Sequence, residues 1–217
     1  MKKLLLVLIS LLFSANLIAA TPFTAGKDYH VIKTNLLEQK QAVGKSKRIS
    51  VVEFFNYGCP GCNFAEPAVE VWLKTKPAYI DFSRVPLTFE EGWETYAKAY
   101  YLATALGIER KITPALFLAI HGKDGRQYHD LSSTDAIVNF FVKHGVKRSI
   151  ANANLAGNSA TMKLQLRQGP ELMKEYGVIE TPTFVIAGKY RVSMGDAKSS
   201  RRLMKIVTYL AKHAHQE

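Results

Sequence analysis

Cysteine is almost missing from this chain: it occurs twice in 217 residues, at Cys59 and Cys62. A bridge between them would close a four-residue loop and restrict the unfolded chain by only about 2 kcal/mol. As the sole staple of a domain this size, that would be an odd choice. Histidine is sparse too, and the six present place no pair near the cysteines. The roughly four ligands of a structural metal site are therefore lacking, and no metal is expected. Long apolar runs are absent after the first twenty residues, so no later segment reaches bilayer-spanning length. Repeats and low-complexity segments are also missing. Acidic residues are the minority, 18 against 29 Lys and Arg. The basic side chains are scattered as a solvated surface, which favours anionic partners without specifying nucleic acid, and none is expected to bind.

What is there begins with a leader. Lys2 and Lys3 precede an apolar run from Leu4 to Phe13, and Ala19-Ala20 offers small residues for cleavage. This is the pattern of a secretory signal peptide over residues 1–20, with a retained anchor as the rival reading. Its removal takes two lysines away and leaves 27 basic against 18 acidic residues, a net charge of +9. The chain is then expected to be exported and soluble, in a compartment where thiols can persist as disulfides.

Periodicity gives the organisation. A short strand at His30-Val31-Ile32 is followed by a polar linker, Glu38 to Lys47, and a buried strand from Ile49 to Phe55. From Cys59 the spacing of Phe64, Ala65, Ala68, Val69, Trp72 and Leu73 predicts a helix, kinked at Pro67 and closed by Pro77. Ile80 to Thr88 reads as a second core strand. Between Glu91 and Gln165 no strand is predicted: one helix runs from Trp93 to near Gly107. A second opens with Thr113 as cap and Pro114 at the first helical position, and a third, capped by Ser133 or Thr134, stops at Gly145. A fourth covers Arg148 to Leu166. Thr183 to Ala187 is then a strand, Gly188-Lys189 a hairpin turn, Tyr190-Arg191-Val192 its return, and Leu203, Ile206, Val207 and Leu210 mark a closing amphipathic helix.

Function concentrates at Cys59-Pro60-Gly61-Cys62, on the junction between strand and helix. At a helix start the first sulfur meets unpaired backbone N–H groups and the positive end of the dipole. Both favour thiolate and lower the pKa from about 8.5 to roughly 3.5–7.5. Cys59 is expected to be the exposed, attacking thiol and Cys62 the more buried, resolving one; Pro60 fixes φ where its missing N–H matters little. Glu53, in the middle of an apolar strand, is either a solvent-facing edge residue or a buried acid able to shuttle the proton of Cys62. Thr181-Pro182, if cis, would expose Thr181 backbone for pairing with an extended peptide.

Val52-Glu53-Phe54-Phe55 leading into the dithiol, the long helical block, Thr181-Pro182-Thr183-Phe184-Val185, Gly188-Lys189-Tyr190 and Gly26-Lys27-Asp28-Tyr29 together resemble the DsbA family of periplasmic thiol:disulfide oxidoreductases. The resemblance spans essentially the whole chain after the leader. It implies an α/β thioredoxin fold, a central mixed β-sheet flanked by helices, with an all-helical domain inserted after Thr88. The sheet unit would comprise residues 21–90 and 167–217, and the insert residues 91–166. The resemblance further implies a redox-active Cys59–Cys62 disulfide with Cys59 as nucleophile, Thr181-Pro182 as the cis-proline loop, Glu53 as buried acid and Arg84 near a basic position facing it. The implied partners are reduced or unfolded secreted proteins, and a DsbB-type membrane quinone reductase that reoxidises a monomeric periplasmic enzyme needing no cofactor. A disulfide isomerase or reductase of the same fold is the enzymatic alternative, and a peptide-binding chaperone the non-enzymatic one.

Two residues depart from the family pattern: Gly61 stands where histidine is usual, and Thr181, which resembles the isomerase side of the superfamily, where valine is usual before the proline; both departures point away from a maximally strong oxidase. DsbA itself provides one anchor, pKa near 3.5 and about −120 mV, and thioredoxin the other, near 7 and about −270 mV. Losing roughly two pKa units of thiolate stabilisation with the histidine makes the pair about 60 mV less oxidising, near −180 mV. Gly61→His is expected to raise the potential in glutathione equilibration; an unchanged potential would remove histidine loss from the account.

Overall fold

The computed structural model describes residues 22–33, 48–88, 90–123, 131, 133–155 and 160–217. The leader, the Glu38–Lys47 linker and Gly157 lie outside the described residues. Five strands form one sheet: β1 (His30–Val31), β2 (Ile49–Phe55), β3 (Ile80–Pro86), β4 (Thr183–Ile186) and β5 (Tyr190–Ser193), in the spatial order β1-β5-β4-β2-β3. Strand β2 is rich in β-branched and aromatic residues and lies inside the sheet, parallel to β3 and antiparallel to β4. That register sets Glu53 directly beside Arg84 on one side and Phe184 on the other.

Helices cover both faces. On one, α1 (Pro60–Thr75) and α7 (Ser200–Gln216) bury Val69, Trp72, Leu203, Ile206, Val207 and Leu210 against Val51, Ile80 and Phe184. On the other, Phe54, Leu87 and Val185 meet Leu172 and Met173 of α6 (Ala160–Glu175). Here α6 comes so close to the end of β3 that a Cβ on Gly169 would lie 2.8 Å from the carbonyl oxygen of Pro86. The remaining long helices, α2 (Trp93–Ala105), α3 (Glu109–His121), α4 (Thr134–Lys143) and α5 (Arg148–Leu155), share a second core built on Tyr96, Leu102, Leu116, Phe117, Ile137 and Phe141. Phe55, Tyr57, Cys59 and Cys62 belong to that same cluster. The dithiol therefore lies where the interior strand β2 runs into the helical block.

The structure corrects four local expectations. Helix α3 begins at Glu109 and passes through Pro114; Thr113 is no cap but an interior helix residue whose hydroxyl bonds the Tyr57 hydroxyl and the Glu109 carboxyl group. The helix expected over Arg148 to Leu166 is two, α5 and α6, and α6 runs unbroken past Leu166 to Glu175. The hairpin turns on Ala187-Gly188, with φ of 53° and 65°, and Lys189 N–H donates to Ile186. The pair with positive φ is what a two-residue turn between twisted strands demands. Finally, Phe64, expected in the core, is 69% exposed.

Candidate active site

Cys59 is the N-cap of α1, in extended conformation, and its sulfur accepts a 3.4 Å hydrogen bond from the backbone N–H of Cys62. Pro60 occupies the first helical turn, where a missing N–H leaves nothing unpaired. The loop before it is locked from both sides. Asn56 gives its amide to the carbonyls of Leu87 and Trp93 and accepts from Gly58 N–H. A Cβ on Gly58 would fall 2.8 Å from Trp93 Nε1 and 2.9 Å from the Tyr96 ring, so only glycine passes there.

Across the dithiol stands the Thr181–Pro182 peptide, which is cis. The Thr181 hydroxyl donates to Cys59 Sγ at 3.1 Å, while its carbonyl lies 3.5 Å from the same sulfur as acceptor for the thiol. Gly61 faces this loop: a Cβ would sit 3.3 Å from Thr181 O and 3.4 Å from Pro182 Cδ. A side chain at 61 therefore displaces the loop by a few tenths of an ångström or forces its own backbone away.

The two thiols are in opposite electrostatic situations. Hydrogen bonding from Cys62 is the largest influence on Cys59; with the Thr181 hydroxyl and the N–H groups of Cys62 and Gly61 it overcomes burial and lowers the pKa to about 6. Burial pushes Cys62 well above the ordinary thiol range, reinforced by its bond to Cys59 and by the charges of Cys59 and Glu53. Both sulfurs are free thiols here, so this is the reduced member of the couple and not the Cys59–Cys62 disulfide. Contrary to the expected exposure, Cys59 is only 6% accessible; Cys62 is 1% accessible. The cis-proline loop and the helical block cover the reactive sulfur, which secondary structure alone could not indicate.

Beneath the dithiol lies a buried cluster of charge. The Arg84 guanidinium donates to Glu53 Oε2 at 2.7 Å, to Glu66 Oε2 at 2.7 Å and to Glu109 Oε1 at 3.0 Å. Glu53 is thus no solvent-facing edge residue but a buried acid on a central strand. Desolvation raises its pKa against the opposing pull of Arg84, and raises Glu66 to about 8 by the same cause. From Glu109 the network continues: Thr113 Oγ1 donates to Glu109 Oε1 at 3.3 Å and shares a 2.8 Å bond with the Tyr57 hydroxyl. His121 meets the Tyr57 carbonyl through Nε2 at 2.7 Å. Helix α3 therefore holds Tyr57 at both ends, two residues before Cys59.

The structure brings Cys59, Pro60, Gly61, Cys62, Thr181 and Pro182 together, with Glu53 acting on Cys62 through its charge. Sequence reading missed Glu66, Glu109, Thr113 and His121. Glu66 carried a usable signal, since it lies beside Ala65 and one turn before Val69 and so interrupts the buried stripe of α1. Nothing local distinguishes Glu109 from an ordinary acidic residue in a first helical turn. Among the described residues, no group of three or more His, Cys, Asp or Glu could hold a metal ion.

Two outcomes follow from these shifts. Thr181→Val removes one donor to the thiolate and is expected to raise the Cys59 pKa from about 6 by about one unit, read as thiolate absorbance against pH. Glu66, raised to about 8 in the fold, keeps a proton that the unfolded chain has already lost at neutral pH. Stability therefore falls as pH rises from the unfolded carboxylate range towards the folded pKa of about 8. Urea unfolding of the oxidised protein, whose thiols are silent, should show this loss, and Glu66→Gln should flatten it.

Comparison with known proteins agrees with this geometry. The Thioredoxin_4 family model, described as Thioredoxin, matches residues 37–207. The thiol:disulfide interchange protein DsbA of Burkholderia cepacia is 34% identical over 100% of this chain and 99% of its own. That of Pseudomonas aeruginosa is 30% identical over 88% and 85%. The crystal structure of Pseudomonas aeruginosa DsbA superposes with a TM-score of 0.77 at 29% identity, covering 91% of this chain and 97% of that one. With the sheet, the helical block and the dithiol in place, the chain belongs to the DsbA family of thioredoxin-fold proteins.

Proposed function

We propose that the chain is an exported thiol:disulfide oxidoreductase that donates the Cys59–Cys62 disulfide to reduced, folding proteins in the periplasm. The observation that carries this reading is the unequal pair: a Cys59 thiol lowered to about 6 beside a Cys62 thiol raised well above its usual value. A substrate thiolate attacks Cys59 Sγ, forming a mixed disulfide and expelling the Cys62 thiolate, which takes up a proton. A second substrate thiolate then attacks the substrate sulfur of the mixed disulfide and releases Cys59 as thiolate. Two electrons pass from the substrate dithiol to the enzyme pair. Stabilising the leaving Cys59 thiolate favours the reduced enzyme and makes its disulfide oxidising. Glu53, whose pKa burial raises against the opposing pull of Arg84, is suited to exchange a proton with Cys62.

The Thr181 hydroxyl donates to the Cys59 sulfur and so favours the thiolate, which makes the disulfide more oxidising. Export is supported by the leader pattern in residues 1–20, and no helix among the described residues is long and apolar enough to cross a membrane. Reoxidation then falls to a membrane quinone reductase of the DsbB type, with the monomeric enzyme unaided by metal or organic cofactor.

Counted from the DsbA anchor at about 30 mV per unit, a Cys59 pKa of about 6 corresponds to a reduction potential of about −195 mV. Equilibration in glutathione buffers measures it. A potential at or below about −250 mV would mark a reductase and end the oxidase reading. Cys62→Ser should in addition trap a mixed disulfide when its Cys59 thiolate attacks a disulfide-bonded substrate and releases one substrate thiolate, whereas Cys59→Ser should abolish turnover entirely.

A further inference from the structure

Two carboxyl groups on α1 have oxygens that the chemistry above leaves idle. Glu66 Oε1 and Glu70 Oε1 are both buried without a hydrogen-bond partner. Buried acceptors are almost always paired, so two on successive turns of one helix require an explanation. Both residues line a groove of 480 Å³ between α1 and α3, walled by Phe64, Phe117 and Leu118, with Lys123 at its α3 end. Phe64 and Leu118 are among the exposed large apolar side chains of this protein. An apolar wall over an acidic floor matches one common side-chain shape: the aliphatic stem and cationic head of arginine or lysine.

Distance fits as well. Glu66 lies seven residues along α1 from Cys59, about 10 Å at 1.5 Å per residue. An extended polypeptide covers about that length in three residues. A substrate whose cysteine is bonded to Cys59 thus brings a side chain about three positions away over the groove. Glu66 Oε2 is already committed to Arg84, and Oε1 is the oxygen left over. On the opposite side of the dithiol the residue before Thr181 is Glu180, which is exposed. In a chain with net charge +11, acidic side chains therefore flank the reactive sulfur on both sides.

We propose that this groove is a subsite for a basic side chain of the substrate polypeptide, Arg or Lys, about three residues from the reacting cysteine, whose head group pairs with Glu70 and donates a hydrogen bond to Glu66 Oε1. The proposal rests on the oxidoreductase reading for its substrate, and binding alone can test it. The probes are extended peptides in which serine replaces the reacting cysteine, carrying Arg or Ser two to four positions away on either side. Calorimetry with the oxidised full chain is expected to show about tenfold tighter binding for an Arg peptide. Glu70→Gln should remove that preference and leave the affinity for the Ser peptide unchanged; Leu118→Gln should weaken only the Arg peptide. Equal affinities at every position, or a Glu70→Gln variant that still prefers Arg, would overturn the subsite. Turnover of the cysteine-containing peptides is scored separately. Its absence would sink the oxidoreductase reading, while the affinities would still decide the groove.

Discussion

A single buried guanidinium joins the parts of this protein that have to act together. Arg84 on β3 reaches Glu53 on β2, Glu66 on the active-site helix and Glu109 on the first turn of α3. An isolated charge in that environment would be intolerable, so three elements must supply carboxyl groups at defined positions. The geometry is self-enforcing: displacing the helical block would strip Glu109 from the cation and, through Thr113, release Tyr57 from the loop leading to Cys59. The ring faces of Phe55 and Phe82, 5.2 and 5.3 Å from the guanidinium carbon, complete its enclosure.

Above this cluster, two thiols three residues apart are made chemically different by direction and depth. Cys59 caps a helix and looks at N–H donors and the Thr181 hydroxyl, so its negative charge is solvated by the protein itself. Cys62, one turn inside, faces strand β2 and the charge of Glu53 without compensating donors of equal strength. The cis-proline loop is as much a part of the thiol chemistry as the helix, since it supplies a donor and closes the sulfur from solvent. Gly61 permits this approach; a larger residue would have to be accommodated by the loop.

The helical block is an insert in topology but not in function. Its core is continuous with Phe55, Tyr57 and both cysteines, and α3 clamps Tyr57 through His121 and Thr113. Thr113 and Pro114 illustrate how this escapes sequence reading. Together they make a persuasive helix start, yet the helix begins at Glu109 and Thr113 lies inside it, its hydroxyl engaged by Tyr57 and Glu109. Phe64 is the converse case: it fits the apolar stripe of α1, but the stripe's edge faces the groove towards α3 and leaves the ring exposed.

By itself the sequence determined the elements and the reactive pair. Strands β2 and β4, the closing helix with Leu203, Ile206, Val207 and Leu210 buried, and the placing of Cys59 at a helix start all follow from local periodicity, capping and proline geometry. These depend on residues a few positions apart, which is the range over which sequence patterns speak. The family motifs added the cis-proline loop. Only the tertiary structure decided that Glu53 is buried and paired, that Glu66 and Glu109 share its cation, and that the Thr181 hydroxyl bonds a sulfur 122 positions earlier. Burial and charge pairing are set by what long-range packing brings alongside each group. The acidity of Cys59 is therefore set first within the four-residue motif, by Cys62 and the N–H groups of Cys62 and Gly61, and completed by the fold through the Thr181 hydroxyl.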